Sequence, residues 1–172
     1  MKERKYLDRF RVNGSGRGAE YAGEYYAFPG GVQEVRQRGG RVCAWMAAFW
    51  VLTLVHLFNA RVTDRCLYAL MPILCALVPA AYGAMGAIST LMNPARMTVV
   101  QRDKGPGRAL RSSAGAMVLI AAGTVGCVIR ISLSGAWGTA WHEALLPLLA
   151  ALSMACAFRE ARAAWHAARE VH

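Results

Sequence analysis

At 172 residues and 56% hydrophobic content, the chain is more apolar than a typical soluble domain, although its net charge is +10. The apolar excess is confined to the stretch from Val42 to Phe158, where charged residues separate long apolar runs. Lys and Arg that flank apolar runs are typical of polytopic membrane proteins. This placement argues against a nucleic-acid-binding protein, and we expect no nucleic-acid partner.

Residues 1–41 form a polar, Gly-rich segment ahead of the first apolar run, with nine Lys and Arg against five Asp and Glu. Because a segment of this length buries little core alone, we predict a mostly irregular cytoplasmic tail that is attracted to anionic lipid. A short hairpin around Gly14–Gly18 is compatible with the pattern. The alternative is that the tail docks a cytoplasmic partner through its aromatic residues, Tyr21, Tyr25, Tyr26 and Phe28.

Four apolar runs follow the tail, and about 20 apolar residues are enough to cross ~30 Å of hydrocarbon as a helix. The predicted helices cover about residues 42–60, 66–93, 111–132 and 139–158. The fourth run is short, so that its helix crosses comfortably only if Trp141, His142 and Glu143 belong to it. We predict an all-α transmembrane domain over residues 42–158, an antiparallel four-helix bundle, with residues 159–172 continuing the last helix on the inner side.

The Lys and Arg content of the connections predicts the orientation. Nine of these residues precede or include Arg41, five lie between Arg96 and Arg111, and three follow the last run. The opposite side has Arg61 and Arg65, with Arg130 at the border. We therefore expect a multi-pass protein of the plasma or inner membrane with both termini in the cytoplasm.

Two short segments mark the connections between the predicted helices. On the inner side, the Gly- and Pro-rich run Asp103–Gly107 predicts a turn. On the outer side, Cys66 follows the short Arg61–Arg65 link, and we expect an impermeant thiol reagent to reach it.

A seven-residue repeat marks the second predicted helix: Pro72, Pro79, Gly86 and Asn93. Proline bends a helix because it removes one hydrogen bond, and small residues let membrane helices approach closely. The third predicted helix carries small residues as well, Gly115, Ala122, Gly123 and Gly126. We interpret both sets as helix packing, and the alternative is a hinge or the lining of a path.

Among the titratable residues of the predicted helices, three are candidates for one layer inside the membrane: His56, Arg130 and Glu143. With a rise of ~1.5 Å per residue, each lies about 22–28 Å from the arginine that flanks its helix on the inner side. Such residues are functional candidates because a charge inside the bilayer is costly. We predict one polar layer near the outer surface, with Glu143 as the counter-ion of Arg130. The pair is either a structural contact or part of a proton or solute path.

The remaining motifs predict no chemistry. The five cysteines have no C-x-x-C spacing, and the glycines of Gly14–Gly18 lack the Gly-Lys-Ser/Thr end of a phosphate loop. We expect no catalytic, cofactor or metal site, and no enzyme. The leading hypothesis is an accessory, scaffold or regulatory membrane subunit that associates with itself or with a larger membrane partner. The alternative is a small oligomeric transporter or channel that uses the predicted polar layer.

Overall fold

The structure is a computed structural model that describes residues 10–12, 19–21, 25–93 and 96–171. Its four long helices are α1 (Gly31–Asn59), α2 (Leu67–Met92), α4 (Arg108–Ser134) and α5 (Trp137–Ala167). A short helix, α3 (Val99–Arg102), leads into α4 through a π-helical turn at Asp103–Gly107. The described strands are β1 (Phe10–Val12), β2 (Ala19–Tyr21), β3 (Tyr25–Ala27), β4 (Arg96–Thr98) and β5 (Arg169–Val171). The predicted all-α class is confirmed.

The four long helices are long and apolar enough to cross a membrane, which confirms their predicted number. Large apolar side chains lie on the outside of all four; Phe58 and Met92, for example, are 86% and 79% exposed. Small residues dominate the interior, where alanine supplies nine of the 17 buried residues in the central cluster. This distribution reverses the usual order of a soluble core, which buries its large apolar side chains.

Each long helix packs against two others. The helix pair α2–α4 has the most extensive contact, α4–α5 and α5–α1 follow, and a smaller α1–α2 contact closes the ring. Glycine brings the backbones together: a Cβ on Gly126 would lie 2.8 Å from the Cα of Ala69, and one on Gly39 would lie 2.9 Å from the Cα of Leu91. These approaches require glycine because no other residue lacks a Cβ.

The first helix begins earlier than predicted, since residues 31–41 are helical rather than part of an irregular tail. The Glu34 carboxylate accepts a hydrogen bond from the Gly30 amide at 2.8 Å and pairs with Arg38 at 2.8 Å. Val35 and Gly39 are buried on the inner face of the same turns. Hydropathy missed this segment because its helix depends on packing and on local charge contacts.

The fourth helix includes Trp141, His142 and Glu143, as the length argument required, but it ends at Ala167. The predicted continuation of this helix beyond residue 158 is therefore present as far as Ala167, but its last residues, 169–171, form β5 instead. At the other end, Gly135 has a φ of +66° and the Ala136 amide donates to the Ile131 carbonyl at 3.3 Å. This glycine-terminated end of α4 allows a two-residue connection to α5.

The predicted turn at Asp103–Gly107 is instead a π-helical turn that runs directly into α4. Gly105 faces Thr90 and Asn93, and a Cβ on Gly107 would lie 2.7 Å from the Trp165 ring. The Gly and Pro content that indicated a turn thus permits close packing of this segment on α2 and α5.

A three-stranded antiparallel sheet of β3, β4 and β5 lies at the end of the bundle where α1 begins and α5 ends, and β1 and β2 form a separate two-stranded sheet. Strands β1 and β2 pair as a hairpin, while the predicted hairpin loop at 14–18 lies outside the described residues. Strand β3 lies between β4 and β5, with Tyr26 opposite Met97 on one side and Glu170 on the other. We call this sheet and its small core the cap; the core consists of Phe28, Val35, Met97, Ala164 and Ala168.

Candidate functional site

The Glu143 carboxylate lies at the opposite end of the bundle, under the loop Ala60–Cys66 that joins α1 to α2. One carboxylate oxygen accepts hydrogen bonds from the Arg61 and Val62 amides at 2.9 and 3.1 Å. The other accepts the Thr63 amide at 2.9 Å and the Thr63 hydroxyl at 2.7 Å. Three consecutive N–H groups that converge in this way form a nest, a backbone concavity that binds anions.

This contact compensates the burial of a charged group. Glu143 is 1% exposed, and a carboxylate buried without donors would strongly destabilise the fold. Here both oxygens are occupied, and hydrogen bonds to a charged acceptor are stronger than neutral ones. Glu143 therefore fastens α5 to the loop between α1 and α2.

Arg130 reaches the same loop from α4. Its Nε donates to the Val62 carbonyl at 3.3 Å, while the Val62 amide donates to Glu143. The predicted Arg130–Glu143 ion pair is wrong: the ion pairs that the structure shows among its described residues are elsewhere. Arg130 and Glu143 are linked through the backbone of Val62 instead, because the carboxylate oxygens already accept hydrogen bonds from the loop amides.

Arg130 lies at the margin of the buried face of α4. The buried face of α4 runs through Ile120, Gly123, Cys127 and Ile131, whereas Ala122 is exposed and Arg130 is half-buried. The position at the margin of the buried face lets the long side chain reach the loop.

His56 occupies the last turn of α1, directly before the loop, and is 1% exposed. Its Nδ1 and the hydroxyl of Thr53, one turn earlier, have no hydrogen-bond partner in the part of the chain that the structure describes. The three predicted residues thus lie at one end of the bundle. Glu143 and Arg130 bind the loop, while His56 lies on the buried face of α1.

A polar cavity of about 320 Å³ opens beside the nest. It is lined by Asn59, Arg61, Val62, Thr139, Ala140, His142 and Glu143. His56 and Arg130 are not among these lining residues. The cavity is large enough for water or a small polar solute.

In the described ranges, no group of three or more His, Cys, Asp and Glu side chains is placed to hold a metal ion.

Cys66, proposed as an outer labelling site, is 8% exposed and buried at the start of α2. It is therefore a poor target for a thiol reagent.

The seven-residue stripe of α2 lies along the contact with α4 and the π-helical turn. Pro72 and Pro79 are half-buried, whereas Gly86 and Asn93 are buried. A Cβ on Gly86 would lie 2.7 Å from the backbone nitrogen of Ala109, so this glycine determines how closely the two helices approach. These contacts favour the packing interpretation of the stripe.

The cap contains a cation–π contact that the sequence pattern did not predict. The Arg102 guanidinium lies 4.2 Å from the ring centroid of Tyr26 and 3.9 Å from that of Trp165, and donates to the Trp165 carbonyl at 3.1 Å. Arg102 thereby joins β3 and α5 to α3. Tyr26 was noted among the aromatic residues of the tail, but its partner Arg102 lies far from it in the sequence, so no local pattern connects the two.

No family model matches the chain, and neither a curated protein nor a solved structure matches it. The site is therefore interpreted from its geometry. Its best-defined feature is the buried Glu143 carboxylate on three loop amides.

Proposed function

We propose that the chain is an integral membrane protein that crosses the plasma or inner membrane four times as an antiparallel bundle. The exposed large apolar side chains of all four helices support this placement, because lipid solvates them as well as a protein core would. The small-residue interior supports it as well, since membrane helices associate through close packing of Gly, Ala and Ser.

We place the cap and both termini in the cytoplasm. The inner flanks carry most of the basic residues, and cytoplasmic loops are enriched in Lys and Arg. In this orientation the Ala60–Cys66 loop and the Glu143 nest face the outer surface. The exposed Trp137 and Trp141 of α5 then lie at the outer interface, where amphipathic rings are favoured.

Within the membrane, we propose that the protein acts as a non-enzymatic accessory, scaffold or regulatory subunit. The observation that carries this proposal is the occupation of both Glu143 oxygens by loop donors. A carboxylate used to hold three helices together is not free to bind and release a proton or solute in a cycle without breaking that contact. The cap supports the same role, because it attaches β3 and Phe28 to the helix ends.

A small oligomeric transporter or channel is the second candidate. His56 favours it, since a buried imidazole whose Nδ1 has no partner among the described residues is the kind of group that moves protons. It lies one turn before Asn59, which lines the polar cavity. In this case His56, rather than Glu143, carries the transport step.

Two measurements on the full-length protein separate these functions. In the first, the tagged chain is purified from its native membrane in mild detergent, and co-purifying membrane proteins are quantified. An accessory subunit retains a larger partner at a fixed molar ratio, or forms a defined homo-oligomer.

In the second, the purified protein is placed in proteoliposomes with an internal pH dye and a potassium–valinomycin potential. We expect no proton flux above empty liposomes. Flux that is lost in His56→Ala but kept in Arg130→Ala would replace the accessory proposal with the transporter.

A further inference from the structure

We propose that a basic groove between α2 and the start of α4 binds the phosphate group of an anionic phospholipid from the inner leaflet. The proposal rests on the membrane placement given above and adds to it a defined lipid site. It concerns the cap end of the bundle, far from the Glu143 nest.

The groove is a cavity of about 410 Å³ lined by Tyr82, Asp103, Lys104, Arg108 and Arg111. Three cations therefore face one carboxylate, and that carboxylate lies 3.8 Å from Arg111. Arg and Lys are the usual ligands of phosphate oxygens, which accept several charge-assisted hydrogen bonds. The excess of positive charge makes an anion the preferred occupant.

Two of the three cationic groups, those of Arg108 and Arg111, have contacts that orient them. The Arg108 guanidinium lies 4.5 Å from the ring centroid of Tyr82, and the Arg111 Nε donates to the Gly107 carbonyl at 3.1 Å. Gly86 lets α2 lie directly against this segment, since a Cβ there would come within 3.1 Å of the Arg108 Cβ. A site whose donors are already oriented loses less entropy on binding.

The depth of the groove fits a lipid headgroup. Gly83 faces Ser112, so the neighbouring Tyr82 lies at the level where α4 has just begun. Further along α2, away from the cap, the same face continues as exposed apolar side chains, with Val78 73% and Met71 50% exposed. On α4, Val118 is 64% exposed. A phosphate in the groove would thus have apolar helix surface beneath it for its acyl chains.

A free phosphate has the same anionic chemistry, but it would not use the apolar surface. Basic pockets between transmembrane helices on the cytoplasmic side are recognised sites for anionic headgroups. The combination of cations above and exposed apolar side chains below therefore favours a lipid over a soluble anion.

The test is a lipid titration of the detergent-purified full chain, with native mass spectrometry to count bound molecules. The probes are phosphatidylglycerol, zwitterionic phosphatidylcholine and soluble glycerol phosphate. We expect a bound phosphatidylglycerol that phosphatidylcholine does not replace, and that millimolar glycerol phosphate does not displace. Displacement by glycerol phosphate would instead assign the groove to a soluble anion.

Charge variants locate the site. Arg108→Gln with Arg111→Gln is expected to weaken phosphatidylglycerol binding about 30-fold, and Lys104→Gln alone about 5-fold, at the usual strength of one basic residue near an anionic surface. The matched control is Arg159→Gln with Arg162→Gln, which removes two exposed charges of the same inner flank outside the groove. We expect less than about a 3-fold change there.

Equal losses in the groove and control variants would overturn the proposal, because attraction would then depend on total charge. Lys104 is exposed, so its variant provides a result even if the double arginine variant fails to fold. Alkaline extraction of membranes distinguishes the two levels of failure. A wild-type chain that is extracted refutes the membrane placement itself, whereas one that stays in the membrane without lipid preference refutes only the groove.

Discussion

Arg130 and Glu143 bind the two polar backbone groups of one residue, Val62. The guanidinium donates to the Val62 carbonyl at 3.3 Å, and the carboxylate accepts from the Val62 amide at 3.1 Å. Side chains from α4 and α5 therefore hold the loop between α1 and α2 from both sides. All four long helices are linked at this one residue.

Replacing the buried carboxylate should weaken the bundle. We expect Glu143→Gln to lower the free energy of unfolding by about 2–4 kcal/mol, because the amide group places N–H donors against loop N–H groups. Unfolding in detergent micelles measures this change. The control is Glu160→Gln, whose carboxylate lies 3.9 Å from the exposed Arg41, with an expected change below about 1 kcal/mol. An unchanged stability of Glu143→Gln would contradict the fastening role.

A double substitution distinguishes the loop-mediated contact from a direct ion pair. Arg130→Ala alone should cost about 1 kcal/mol, since it removes one hydrogen bond to a half-buried peptide. Combined with Glu143→Gln, it should leave the protein less stable than either single variant. If the second change instead restored stability, the two side chains would have to interact as paired charges.

Close approach of α2 and α4 should make Gly126 sensitive to a single methyl group. We expect Gly126→Ala to lower stability by about 1–3 kcal/mol, because its Cβ would lie 2.8 Å from the Cα of Ala69. The matched control is Gly138→Ala in α5, where no atom of the described residues lies within 4 Å of the new Cβ. It should be neutral or stabilising by up to about 1 kcal/mol. Equal effects at both positions would argue against this packing.

The cap should depend on the planar guanidinium of Arg102. Lys retains the charge but lacks the flat surface that stacks between Tyr26 and Trp165. We expect Arg102→Lys to accelerate hydrogen exchange of the β3 and β5 amides about 5- to 30-fold, from a loss of about 1–2 kcal/mol. Arg96→Lys, at an exposed position of β4, is the control. Unchanged exchange in Arg102→Lys would show that the stacking does not hold the cap.

The orientation of the chain is tested best by new cysteines. Asp64→Cys introduces a thiol at an exposed position of the loop between α1 and α2, and Lys104→Cys introduces one at an exposed position of the π-helical turn. An impermeant maleimide should label the first in intact cells and the second only after the cells are opened. The unmodified chain is the control, because Cys66 is buried and should stay largely unlabelled. The reverse labelling pattern would invert the proposed topology.

The hydropathy of consecutive residues was enough to predict the number of long helices and their approximate centres. Helix boundaries were less predictable: residues 31–41 contain charges, so a hydropathy sum excludes them, yet Val35 and Gly39 pack into the structure. The seven-residue spacing of Gly86 and Asn93 also indicated helix contact, and both are buried. Their partners, however, were not visible in that spacing.

The sequence by itself determined four apolar helices and a charge bias between their connections, because hydropathy and charge are additive properties of neighbouring residues. Only the tertiary structure decided what holds Glu143, since its partners are mainly backbone amides, which every residue carries and no side-chain pattern reveals. The same holds for the cap. Its three-residue strands are too short to predict alone and exist because distant segments pair with β3.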